Sequence, residues 1–395
     1  MLSSMAQALD RLSALDDVLS ESERLVVESV SRFVRERYLP RAASLFEKEE
    51  FPRDLIPELA ELGLLGASLS GYGCAGMSPV EYGLSLRELE YGDSALRSFV
   101  SVQGSLAMFA IHAFGTEAQK ARLLPELARG KLIGCFGLTE PDSGSDPGSM
   151  KTRARSDGDG FVLSGTKMWI TNAPFADVAV VWAKVDEGGA ESIRGFVIER
   201  EHAGFSTPRI QHKMSLRASE TGEIVLSECR VPQSAALEHK PGLGAPLRCL
   251  SEARFGIAWG ALGAARACFE TALAYTSERI QFGAPLTTRQ LVQARLADMA
   301  SAIATAELTT LHFARLKAAR GKLLPEQVSL CKRQSVKVAL DVARDARSLL
   351  GANGILLDYP VIRHMLNLES VLTYEGTHEI HTLAIGRALT GESAF

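Results

Sequence analysis

Residues 151–173 read "KTRARSDGDGFVLSGTKMWITNA", and here the hydrophobic period changes from that of a helix to that of a strand. β-Branched and aromatic residues gather in short runs, split by Gly, Asp, Ser and Asn, which favour turns. "VAVVWAKV" (178–185), "IRGFVIER" (193–200) and "TGEIVLSECRVP" (221–232) continue the pattern. A β domain of roughly a hundred residues is therefore expected between about residues 133 and 232, within the usual single-domain range.

Both flanks read as helices. "SESERLVVESVSRFVRERYLPRAASLF" (20–46) opens with Ser-x-x-Glu, a capping-box pattern, and repeats apolar residues at helical spacing. "DLIPELAELGLLGA" (54–67) behaves likewise, and "TEAQKARLLPELARGKL" (116–132) follows a Gly-Thr stop-and-cap pair. Beyond residue 242 come three long, Ala-rich runs, 250–280, 288–319 and 325–350, apolar over wide faces as in a bundle. Helices, then strands, then helices is an uncommon order.

The chain has 395 residues, 23% of them charged, and a net charge of −4, so composition gives no basic footprint for nucleic acid or an anionic membrane. Six scattered cysteines without a CxxC pair fit buried thiols in a reducing compartment. The N-terminal stretch carries acids and lacks the apolar core of a signal peptide, and no charge-free apolar run is long enough for a bilayer. The expectation is a cytoplasmic protein, with no nucleic-acid partner and no membrane insertion.

Several stretches could carry chemistry. "CFGLTEPDSGSDPGSM" (135–150) could aim backbone N–H groups at a phosphate or an electron-rich ring, or be a polar surface loop. In "GTKMWITNA" (165–173), Trp169 and Thr171 share a strand face; they could stack on and hydrogen-bond to a flavin-like ring, or be a core Trp and a surface Thr. "SERIQFGAPL" (277–286) ends a helix with Arg279 and Gln281, which could meet a phosphate or serve the helix C-terminus. "LGANGI" (350–355) reads as a helix stop with a left-handed Gly. In "TYEGTHEIH" (373–381), Gly376 breaks the helical pattern after Glu375, which could cap a helix, join a salt bridge, hold a metal or take a proton. His378 and His381 are spaced i, i+3 without an HExxH-type ligand set.

Together these stretches, with "RSFVSVQGSL" (97–106), "SLRASETGEIV" (215–225), "GIAWGALGA" (256–264), "VIRHMLNLESVLTYEGTHEIH" (361–381) and "GRALTG" (386–391), resemble the acyl-CoA dehydrogenase family of flavoproteins along nearly the whole chain. Within it the glutaryl-CoA branch is the most similar. The resemblance implies a mainly α fold with a β domain: an N-terminal helical domain (1–133), a middle β-barrel-like domain (134–235) and a C-terminal four-helix bundle (236–395).

It also implies FAD, with Phe136, Leu138, Thr139, Trp169 and Thr171 lining its ring. Ser145 stands with both cofactor and substrate, near the phosphates. Arg279, Gln281 and Phe282, with Leu350, Gly351, Asn353 and Gly354, would meet the FAD of a neighbouring subunit, and Thr377 and Glu379 its adenine end. That arrangement implies a homotetramer. Glu375 matches the family's base for the α-proton of an acyl-CoA thioester, and Gly376 would let the backbone approach it. Arg97 matches the anchor for a distal carboxylate, since a lone cation in an apolar pocket is costly and a guanidinium grips a carboxylate bidentately. Glu90 and Tyr374 match the pair of decarboxylating members, with Ser98 and Ser101 alongside. Metal is not expected, and an electron-transfer flavoprotein would take the electrons.

The sequence departs from the branch at Tyr91, Ala95-Leu96, Phe99 and Gly104. These positions are expected to surround the acyl pocket, leaving open another dicarboxylic thioester, a protein-borne carrier or a non-decarboxylating enzyme. A flavin-binding scaffold without catalysis is the reading from another class.

Overall fold

Ser20 starts the first long helix as its pattern predicts: its hydroxyl accepts from Glu23 N and its own N–H meets the Glu23 carboxylate at 2.8 Å. The computed structural model describes residues 9–187 and 190–394, so the first eight residues of the acid-bearing N-terminal stretch lie outside it. Helix α1 (Glu21–Phe33) is followed by α2 (Pro79–Gly92), capped by Ser78 and Glu81 in the same reciprocal way. Asp93, in extended backbone, ends α2 and caps α3 (Ser94–Ser101), which continues through a π-helical stretch (Val102–Met108) into α4 (Phe109–Phe114). Ser94–Phe114 is long and apolar enough to cross a membrane by length and composition, yet it is buried inside the protein. Helix α5 (Glu117–Ala128) begins at the Thr116 cap read from the sequence.

Strands β1 (Gly134–Gly137), β2 (Arg153–Asp157), β3 (Gly160–Thr171), β4 (Val178–Glu187), β5 (Ala190–Glu199), β6 (Phe205–Ser206) and β7 (Thr221–Pro232) form one curled sheet. One edge of β4 serves two strands, pairing with β1 over Val178–Val181 and with β2 at Lys184–Val185, while β5 lines its other edge. Both faces are covered. Ala179, Val181, Ala183 and Val185 enter the core between the strands, whereas Val178, Val180 and Trp182 join a second core with α4, α5 and the start of the C-terminal helices. A strand buried on both faces needs apolar residues at consecutive positions, as "VAVVWA" provides.

Helix α6 (Gly244–Glu278) runs into a small hairpin, β8 (Ile280–Gln281) and β9 (Ala284–Pro285), before α7 (Gln290–Arg320), α8 (Pro325–Leu349), α9 (Pro360–Thr373) and α10 (His378–Thr390). Residues from α6, α7, α8 and α9 share one core around Ile257, Ile303, Leu340 and Leu368, making the four-helix bundle. Helices α2 and α6 cross closely because glycines line the contact. A Cβ on Gly83 would overlap the Trp259 indole, and one on Gly263 would stand 1.8 Å from the Arg87 carbonyl. This crossing joins the N-terminal helices to the bundle. Five of the six free cysteines are buried, and Cys74 is half-buried.

Candidate active site

Glu375 lies between α9, which ends at Tyr374, and α10, whose N-cap is Thr377. It is not the cap: the Thr377 hydroxyl accepts from Ile380 N at 3.2 Å. Glu375 and Gly376 take successive left-handed backbone conformations, with φ of 50° and 95°. For a glutamate this is uncommon, the kind of local strain that functional sites concentrate. Glycine is required next to it, since a Cβ on Gly376 would stand 2.9 Å from His381 Nε2 and 3.2 Å from Arg254 Nη2. Glu375 Oε2 is shut off from solvent and, among the described residues, has no hydrogen-bond partner. Burial raises its pKa above the ordinary value, against the pull of Arg97, Lys332 and Arg254. A desolvated carboxylate with a raised pKa and a free oxygen is equipped to accept a proton. Among the described residues, no three His, Cys, Asp or Glu side chains gather as a metal site.

The backbone of this junction is held by cations. Lys332, on α8 and 1% exposed, donates to the Tyr374 and Gly376 carbonyls, each at 2.5 Å. Arg254, on α6, donates from Nε to the Glu375 carbonyl at 2.7 Å. The sequence reading missed both residues. Lys332 was detectable, because it falls at helical spacing among Val328, Cys331, Ser335, Val336 and Ala339, all on the buried face. Glu252, two residues before Arg254 on α6, accepts from Lys317 Nζ at 2.5 Å.

Arg97 is 1% exposed and Glu90 fully buried. The expectation of a lone cation is corrected here: Arg97 Nε donates to Glu90 at 2.5 Å and Nη2 to the Tyr374 hydroxyl. Burial, which alone would lower the Arg97 pKa, is outweighed by Glu90 and Tyr374, so its charge is secure. Ser94 holds the other Glu90 oxygen at 2.7 Å. Gly260 makes room for the pair, since a Cβ there would stand 2.1 Å from Glu90 Oε2. Among the described residues no hydrogen bond takes Arg97 Nη1. The buried Ser98 and Ser101 hydroxyls lie beside the phenols of Tyr374 and Tyr82 respectively. Arg363 and Asn367 on α9 both grip Asp93, fixing α9 to the α2–α3 corner so that Tyr374 falls on Arg97.

The divergent residues near Arg97 are packed into their surroundings, with Ala95 and Leu96 in the core of the N-terminal helices. Phe99 stacks on Phe51 at 4.5 Å, Tyr91 donates to Glu270 at 2.7 Å, and Gly104 sits against the Gly66 backbone.

The sheet offers a second cluster. Strand β3 does not alternate regularly as expected: its register with β7 shifts between Lys167 and Ile170, and Trp169 adopts φ of 64°. Trp169 is 56% exposed, not a core residue, while Ile170 is buried and Thr171 half-buried. Met168 N donates to the Thr139 carbonyl at 2.9 Å, which joins the 138–150 loop to this bulge. Glu140 in that loop is structural, accepting from Lys151 N, Thr152 N and Lys167 Nζ. Ser145 is exposed. Phe136 and Leu138 turn their side chains into the core, with Phe136 against Trp182, and the Leu138 carbonyl accepts from Lys167 Nζ at 3.1 Å. An exposed indole in a strained bulge beside the Thr139 and Thr171 hydroxyls fits the edge and face of a flavin ring.

The remaining expected cofactor residues lie elsewhere in the chain. Arg279, Gln281 and Phe282 are exposed on the β8–β9 hairpin, roughly 37 Å along α6 from Arg254 at 1.5 Å per residue. Gly351 is left-handed just past α8, Asn353 donates to Tyr275 at 3.0 Å, and Gly354 is buried against the Arg347 carbonyl. Leu350 is in the bundle core. Thr377 and Glu379 begin α10.

Comparison with known proteins covers the whole arrangement. Residues 20–131 match the family model for the acyl-CoA dehydrogenase N-terminal domain, 135–229 its middle domain and 240–390 its C-terminal domain. A crystal structure of glutaryl-CoA dehydrogenase from Mycobacterium smegmatis is 58% identical, with a TM-score of 0.95, over 98% of this chain and 99% of that one. Another glutaryl-CoA dehydrogenase structure from the same organism, in complex with FADH2, is 52% identical, with a TM-score of 0.96 and the same coverage. A short-chain specific acyl-CoA dehydrogenase of Clostridium acetobutylicum is 36% identical over 94% of this chain and 98% of its own length.

Proposed function

Since the chain belongs to the acyl-CoA dehydrogenase family, whose members are FAD-dependent enzymes, we propose that it oxidises glutaryl-CoA and decarboxylates the product to crotonyl-CoA. The observation that carries this reading is the buried Arg97, set between Glu90 and Tyr374 and bonded to the residue next to Glu375. A monocarboxylic acyl chain would leave that buried charge pair without use. A terminal carboxylate would take the unused Arg97 Nη1, with the Ser98 and Ser101 hydroxyls in reach of its other lone pairs.

Glu375 acts as the base, removing the α-proton of the thioester. Its backbone N–H stabilises the negative charge that develops on the thioester oxygen. Trp169, Thr171, Thr139 and the 135–150 loop would hold FAD, which when bound would supply the two-electron acceptor needed for the β-hydrogen. The unsaturated product carries its carboxylate in conjugation with the thioester. Glu90 and that carboxylate then share one guanidinium, so loss of neutral CO2 moves a crowded negative charge away from them into a delocalised dienolate. Protonated Glu375 returns its proton to the γ-carbon, which completes crotonyl-CoA. The exposed β8–β9 hairpin and the 350–354 loop belong, in this reading, to the cofactor site of a neighbouring copy in a homotetramer. An electron-transfer flavoprotein is the proposed acceptor and the cytoplasm the proposed location.

Mass spectrometry of the products from glutaryl-CoA, with an artificial electron acceptor, tests the proposal. Crotonyl-CoA with CO2 is expected. Glutaconyl-CoA alone removes the decarboxylating role of Glu90 and Tyr374. Turnover of butyryl-CoA with none of glutaryl-CoA would assign the chain to short-chain monocarboxylic substrates.

A further inference from the structure

Lys332 is buried, yet among the described residues no carboxylate lies within ion-pair distance of it. Its hydrogen bonds go to two backbone carbonyls, those of Tyr374 and Gly376, which flank Glu375. Burying an amine for two carbonyl acceptors is costly: burial lowers the Lys332 pKa to about 7, against the pull of Glu375. The described peptide bonds are all trans, so the N–H of each peptide points opposite to its carbonyl. With the Tyr374 carbonyl drawn to Lys332, the Glu375 N–H is turned away from α8. No acceptor among the described residues takes it.

We propose that Lys332 is a positioning residue for the reaction: by holding the Tyr374 and Gly376 carbonyls, it fixes the Glu375 N–H as the donor to the substrate thioester oxygen. The inference rests on Glu375 as the base. The charged groups facing this point are Arg254 from α6, Arg97 from α3, Lys332 from α8 and Glu375 itself, with the His381 ring from α10. Lys332 also draws the Glu375 pKa downward, against burial.

The test uses FAD-loaded Lys332→Met and two readouts. The turnover of glutaryl-CoA is expected to fall by about 10²–10³-fold, as for loss of one oxyanion donor, with KM changed by less than about threefold. The carbonyl stretch of bound 3,3-dimethylglutaryl-CoA, which has no β-hydrogen to lose, should move back toward its value in water. The acid limb of kcat should also shift to higher pH, because a positive neighbour of Glu375 is gone; a purely structural lysine would leave the stretch unmoved. A folded Lys332→Met protein with wild-type kcat and stretch overturns the proposal. Should that variant not fold, Lys332→Arg, which keeps the charge but is longer and displaces both carbonyls, is read the same way, and unchanged values again overturn it. Glu375→Gln run alongside separates the two failures: normal turnover there refutes the base, whatever Lys332 does.

Discussion

Arg97 is a cation in an apolar region, and in the folded chain Glu90 already neutralises it. Arg97→Met should therefore do two things. Left alone, the buried Glu90 carboxylate costs about 3–5 kcal/mol of stability, as for other broken buried pairs. Turnover of glutaryl-CoA should fall at least about 100-fold, the scale of a lost charge-assisted carboxylate contact, while some activity on butyryl-CoA remains. Adding Glu90→Gln should restore the melting temperature but not the glutaryl-CoA activity; equal losses on both substrates would remove the anchoring role. The pH profile follows from Glu375. Its raised pKa means the base is protonated, and activity lost, as pH falls through a midpoint above the ordinary 4.5. A kcat/KM limb at or below 4.5 would contradict the desolvation described here. Glu375, Arg97, Glu90 and Tyr374 were legible because each stands in a recognisable local string. The tasks of Arg254 and Lys332 were not, because they are defined by backbone carbonyls far away in sequence, although the helical spacing of Lys332 already marked it as buried.

Elements were legible where their signals are local. The Ser20 and Thr116 caps, the change of period at the sheet and the left-handed Gly351 all stand in the structure as read. The β3 bulge was hidden, since alternation assumes an unbroken ladder and only the pairing with β7 reveals the shift at Lys167–Ile170. That bulge has a measurable signature. Trp169→Gly removes a left-handed side-chain conformation that costs about 1–2 kcal/mol, so the apoprotein should melt higher. The same change should weaken FAD retention, read from flavin content after gel filtration. A variant that melts lower and keeps its flavin would mean the indole serves the sheet.

For the whole molecule, the α2–α6 crossing draws Glu90, Arg97 and Arg254 together, and α8 adds Lys332. Which helices meet was not readable from periodicity, because a glycine stripe announces close approach without naming the partner. The exposed apolar surface points beyond one copy: Phe282 is 95% exposed, with Ile280 beside it and Leu291 at the start of α7. In the proposed homotetramer, Phe282→Asp should lower the sedimentation coefficient and the flavin content together, while leaving helical circular dichroism unchanged; a dissociated protein that keeps its FAD would place the hairpin outside the cofactor site.

The six free thiols carry a built-in clock. A thiol reagent meets at most Cys74 in the native protein, and burial raises even that thiol to about 11. The others are silent until their surroundings open. Cys135 and Cys229 belong to the sheet, whereas Cys249, Cys268 and Cys331 sit in the bundle helices. The order in which labelled peptides appear therefore reports whether sheet and bundle come apart as one body or in sequence, with no probe added to the chain.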